Sequence, residues 1–211
     1  MTRASKESVL SLLESRRFDH LAELVAKRRG GIRYLFRLLY EREGLIRWLA
    51  VEGMGAVADR LAGEEPEAVR VILRKLLWSI NDESGGIGWS APECIGEIIY
   101  RRPEMFGEFA SIIISYADEP MLRSGVLWAA GRIAQACPDL VREDVPGLKE
   151  FLFDGDPVVR GYTVRLLTIM AEGPDPKSRP MLEDGGVVPV YEGGLLKKVT
   201  VADLASVWFT L

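Results

Sequence analysis

Apolar residues recur along most of the chain at helical spacing. Leu10, Leu13, Leu21, Leu24 and Val25, then Leu35, Leu38 and Leu39, fit the i, i+3, i+4 rhythm of one helix face. Period-two alternation is confined to the end, where Val187–Tyr191 and Leu195–Val199 flank Glu192-Gly193-Gly194 and predict a β-hairpin. Thr200-Val201-Ala202-Asp203 has capping-box form and predicts a short last helix. Pro and Gly supply the punctuation: Gly30-Gly31, Gly63–Pro66, Arg102-Pro103, Cys137-Pro138 and Gly173–Pro176 separate the helical segments.

The helical segments resemble one another. Arg47–Gly55, Gly88–Gly96, Arg123–Gly131 and Arg160–Thr168 align at offsets of 41, 35 and 37 residues, each after an apolar helix and an acidic turn. Two helices per unit of this length describe a helical solenoid. The turn Asp156-Pro157-Val158-Val159-Arg160 and its echo Glu119-Pro120-Met121-Leu122-Arg123 resemble those of HEAT repeats. Glu43 and Arg47 keep the same i, i+4 relation. The resemblance spans residues 31–172 and is nearest to short bacterial HEAT-like proteins, among them an uncharacterised family and bilin-lyase-type repeats. It implies an all-α, right-handed α-α superhelix of about four helix pairs, with Asp–Arg ladders between repeats and second helices lining a concave face. The expected organisation is an N-terminal helical hairpin over 1–30, an array over 31–173, and a linker, β-hairpin cap and short helix over 174–211.

Aligned columns give each second helix a phase. Met54, Ile95, Ala130 and Leu167, with Val57, Ile98, Ile133 and Met170, form a core stripe. Gly55, Gly96 and Gly131 share a column expected at close helix contacts. The remaining side carries Trp48, Glu52, Trp89, Glu93, Glu97, Trp128, Arg132 and Arg165. Trp and Arg in such positions are characteristic interface anchors, so a protein- or peptide-binding face is expected. The competing reading is core packing, with Ser90-Ala91-Pro92-Glu93 as a capping box and Trp89 outside the helix.

The second repeat is irregular. It lacks the Arg and gains Asn81-Asp82-Glu83-Ser84-Gly85-Gly86-Ile87-Gly88, with Trp78 just before. Trp78, Asn81, Asp82, Glu83, Trp89, Glu93 and Glu97 thus concentrate there. Paired carboxylates could serve a small-ligand site or lyase-like acid–base chemistry, which is the alternative reading. The Gly-rich piece has no preceding strand and no Gly-Lys-Ser/Thr, so it is not a phosphate loop. The EF-hand pattern and Glu-x-x-His pairs are both missing.

Composition narrows the rest. In 211 residues, 48% are hydrophobic and 27% charged, with five Trp, one His and two Cys. His20 alone cannot build a multi-histidine metal site or catalytic set, and Cys94 and Cys137 form no CxxC. No cofactor, metal or catalytic residue is therefore assigned. No apolar run reaches the roughly 18 residues of a membrane span, and the N-terminus lacks a signal-peptide core. A cytoplasmic protein is expected. The net charge of −4 points to a basic partner and disfavours nucleic acid, although residues 1–50 carry an excess of Lys and Arg. The oligomeric state is left open.

Overall fold

The computed structural model describes residues 5–27, 29–41, 43–81 and 88–211. Among them are twelve α-helices and one two-stranded sheet. The helices pair as expected: α1 (Lys6–Glu14) with α2 (Phe18–Lys27), α3 (Ile32–Leu38) with α4 (Leu45–Ala62), and α5 (Pro66–Ile80) with α6 (Ala91–Arg101). In the third and fourth repeats the first helix breaks into short pieces. α7 (Pro103–Phe106) and α8 (Ala110–Ile114) precede α9 (Arg123–Ala136), and α10 (Val145–Leu148) precedes α11 (Pro157–Ile169). Single 3₁₀ turns bridge these pieces.

Helices α4, α6, α9 and α11 pack side by side as one row, and α2 extends that row at its N-terminal end. The chain is an all-α solenoid whose core lies between this row and the outer helices. Leu35, Met54, Leu73, Ile95, Ile113, Val126, Ile133, Val164 and Leu167 are fully buried along it. The core stripe read from the aligned columns therefore holds.

The shared glycine column does not behave uniformly. At Gly96 a Cβ would stand 2.6 Å from the Ala129 Cα, so α6 and α9 meet backbone to backbone. At Gly55 it would meet the Glu97 Cγ at 2.5 Å. At Gly131 the nearest atom would be 3.6 Å away, an ordinary contact. Only the first two need to be glycine for space.

Asp156 caps α11 by accepting the Val158 N–H at 2.8 Å, with Pro157 in the first turn. Past α11, a 3₁₀ segment (Pro176–Glu183) leads into strands β1 (Val187–Glu192) and β2 (Leu195–Thr200), an antiparallel hairpin in register Val187↔Thr200. Gly193 and Gly194 form its two-residue turn with φ of +57° and +85°, which is why two glycines stand there. Thr200 and Asp203 make the expected capping box of α12 (Val201–Trp208). Trp208 is fully buried against α11, and its indole N–H donates to the Glu172 carbonyl at 2.6 Å. The hairpin base and α12 thus seal the apolar end of the row.

These geometries separate two substitutions of one residue type. Gly96→Ala should lower stability by about 1–3 kcal/mol, because backbone atoms oppose the new methyl. Gly131→Ala should leave it unchanged or raise it by up to about 1 kcal/mol through helix propensity. Urea unfolding of both variants checks this, and equal losses would contradict it.

Candidate functional site

The inner face of the row begins with Trp48 and Trp128, on α4 and α9. Their ring centroids lie 5.1 Å apart although the helices are separated by α6. The sequence brings these two together as expected, but not as an open surface. Trp48 is 2% exposed, because the Tyr191 ring from the hairpin stacks on it at 5.6 Å and 7°. Trp128 is 9% exposed. Trp48 is therefore a covered residue, a correction to the face read from the helical wheel.

The hairpin reaches across the row. The Tyr191 hydroxyl donates to Glu52 on α4. Burial and the Glu52 carboxylate together push the Tyr191 hydroxyl well above its ordinary pKa, so it stays a proton donor. Arg16, in the turn between α1 and α2, donates to the Gly193 carbonyl at 2.7 Å and to Glu52 at 2.8 Å. Arg16 has φ +51°, a left-handed conformation in which glycine is the usual residue. Arg165 on α11 donates to Glu192 at 2.6 Å. The base is anchored differently. Val188 is fully buried over Gly161, and the Tyr162 hydroxyl donates to the Pro189 carbonyl at 2.6 Å.

Beneath the hairpin tip lies a recess of about 230 Å³. Its floor is Leu127, Gly131, Leu166 and Ile169, and its rim carries Trp128, Arg132, Gln135 and Arg165. Glu97 also faces it but is already committed. Its carboxylate accepts Arg101 at 2.9 Å and Arg132 at 2.7 Å while only 2% exposed. Arg132 further lies 3.5 Å from the Tyr100 ring centroid.

Glu93 and Trp89 face elsewhere. Glu93 is 2% exposed and receives an Arg47 N–H on Oε1, while a second Arg47 N–H donates to the Ser90 hydroxyl at 2.6 Å. The Glu93 Oε2 has no hydrogen-bond partner and sits where a Cβ on Gly125 would come within 2.8 Å. Trp89 precedes α6, as in the competing reading, and lines a second cavity with Arg47, Glu93 and Met121. The capping box proposed for this stretch is not formed, since Ser90 makes no side-chain cap bond and accepts Arg47 instead.

Of the acidic residues expected in the second repeat, Glu93 and Glu97 do not share one pocket: they line different cavities, each against an arginine. Trp78 is 67% exposed on α5, and the Asn81 side chain donates to the Tyr116 hydroxyl at 2.8 Å, both on the outer layer. Asp82 and Glu83 lie outside the described residues. Among the described residues, no group of three or more His, Cys, Asp and Glu side chains is placed to hold a metal ion. His20 is exposed on α2, and burial raises the Cys94 thiol pKa well above its ordinary value. Arg16, Arg47, Tyr162, Tyr191 and Glu192 belong to the inner-face network without having been singled out as binding residues. The hydrogen-bonding hairpin tip gives no signal in a helical wheel. Arg47 had one, as the first residue of its aligned segment.

Comparison with known proteins agrees with this architecture. Residues 120–169, which contain α9 and α11, match the model of the HEAT-like repeat. An uncharacterised protein of Archaeoglobus fulgidus is 27% identical over 172 residues, covering 81% of this chain and 91% of the relative. That relative is archaeal and gives no support to the bacterial origin expected above. No helix among the described residues is long and apolar enough to cross a membrane.

Burial pushes the Glu93 carboxyl above its ordinary value of 4.5, and Arg47 holds it back. A carboxyl raised in the folded state contributes most below its unfolded value and loses that contribution as pH climbs through the raised one. Relative to Glu93→Gln, which cannot ionise, the wild-type stability should fall over the range from about pH 4.5 upward. Urea midpoints across that range check this, and a constant or opposite trend would refute it.

Proposed function

We propose that the chain is an interaction scaffold that receives a protein or peptide segment on the inner face of its helix row. The carrying observation is the recess of about 230 Å³, with an aliphatic floor and a rim of Trp128, Arg132, Gln135 and Arg165. Apolar depth with a few oriented polar groups is how side chains are received at interfaces. The HEAT-like match over 120–169 supports a repeat scaffold in general.

The geometry revises the chemistry of the partner. Glu52 and Glu97 on the inner face, like Glu93 in its separate cavity, each already meet an arginine of the chain, so these carboxylates are not free to draw a basic segment. Arg16 and Arg47, from the basic N-terminal part, are spent in the same pairs, which weakens a nucleic-acid reading. The lyase-like reading is less favoured because Glu93 and Glu97 line different cavities. What faces the recess is aromatic (Trp128, Tyr162, Tyr191) beside ion pairs already made, Arg132 with Glu97 and Arg165 with Glu192.

Capture from a lysate of the source organism with the full chain as bait tests the reading. Gln135→Trp, which narrows the recess, and Arg165→Ala should each cut partner recovery about tenfold, the scale of one interface anchor. Val71→Ala, on the exposed face of α5, should leave it unchanged. Recovery that ignores both inner-face substitutions would refute the proposal.

A further inference from the structure

Sealing the end of the row requires the hairpin base and α12, not the tip. Val188, Val201, Ala205 and Trp208 are fully buried there and cover α11. The tip instead runs on over α9 and α6 to α4 and the α1–α2 turn. Apart from the Tyr191 ring on Trp48, its ties are hydrogen bonds near solvent: the Arg16 side chain is 41% exposed and that of Glu192 61%. Contacts of this kind contribute little net stability. The tip also leaves the recess beneath it unfilled, where a purely structural cap would pack to interior density.

Each tie matches a way in which a protein reads a peptide. An aromatic ring lies flat on Trp48. The next residue presents a carboxylate to Arg165. The one after presents a main-chain carbonyl to Arg16, held in a backbone conformation that disfavours arginine.

We propose that the tip Tyr191-Glu192-Gly193 is an internal stand-in for the partner, so that the scaffold's partner segment carries an aromatic residue followed by an acidic one. Such a segment competes with the tip for Trp48, Arg165 and Arg16, and the hairpin swings from its buried base to admit it. The inference rests on the scaffold reading and gives it a ligand class. A tethered tip acts at an effective concentration of about millimolar, so the uncovered face is reserved for segments that outcompete it.

The test uses the full chain and the blocked peptide Val-Tyr-Glu-Gly-Gly, read by the indole N–H signals of Trp48 and Trp128. In Tyr191→Ala/Glu192→Ala the peptide should shift both signals. The wild type should need at least about tenfold more peptide, because its own tip competes. Glu192→Ala alone, which frees Arg165 from the tip and keeps Tyr191 and every receiving side chain, should lower the peptide requirement relative to wild type. Helical circular dichroism establishes that each variant is folded. No peptide-induced shift in either variant, or equal titrations in variants and wild type, would overturn the proposal. Peptide binding to the opened variants without any partner dependent on the inner face would support it while removing the scaffold reading. Partner capture that persists in variants blind to the peptide would overturn it and leave the scaffold reading intact.

Discussion

The structure depends on how closely the second helices approach one another. Gly96 against Ala129 lets α6 and α9 touch along their backbones, so no large side chain fits between them there. Long side chains are displaced to the flanks of the contact. On the inner flank Trp48 can then reach Trp128 past α6, and Glu97 can reach Arg132 on the neighbouring helix. Ion pairs made this way are largely shielded from water. A carboxylate buried to 2% exposure is costly unless it is paired and hydrogen-bonded. Close helix packing thus demands the arginines that accompany it.

The same demand explains the ladder along the turns. Arg123 reaches Asp154 at 2.7 Å, ahead of the next second helix, and Arg160 reaches Asp184 at 2.6 Å, ahead of the hairpin. Arg47 has the corresponding position in its repeat but finds Ser90 and Glu93. The acceptor has moved from a half-buried turn into the helix itself. Gly125 leaves room for that carboxylate, which a side chain at this position would crowd. The irregular second repeat keeps the ladder by substituting a buried acceptor for a turn aspartate. The density of acidic and aromatic residues there reflects this exchange as much as any binding role.

Periodicity, turn residues and self-similarity carry the architecture in the sequence. The repeat phase, the core columns, the cap of α11, the hairpin and the last helix are all local, and local patterns predict them. The inner face is less legible. A helical wheel tells which way Trp48 points but not what lies over it. Tyr191 is 139 positions from Glu52, and Gly193 is 177 from Arg16. No spacing rule spans such distances. Glu93 and Glu97 lie one helical turn apart and look like one acidic face. They diverge because their arginines approach from opposite directions, Arg47 from α4 and Arg132 from α9. Arg16 stands at a helix end where glycine is usual, and that misfit is the one trace of the long-range contact in the sequence.

An open solenoid is held by nearest-neighbour interfaces, so its two ends are energetically remote. The hairpin removes that remoteness. Its base belongs to the last unit, and its tip is bonded to the α1–α2 turn and to α4. A change at the tip is therefore felt at both ends of the row at once, whereas a change in an outer helix is felt by its neighbours. On the proposal above, displacing the tip would open the inner face while the base, held by Val188, Val201, Ala205 and Trp208, stays packed on α11. The Arg16 and Glu192 ties, exposed as they are, contribute little, so the Tyr191 ring on Trp48 is the main contact such a displacement would have to replace. On the scaffold reading proposed above, the row would then accept a segment on its inner face while the fold that presents that face stays intact.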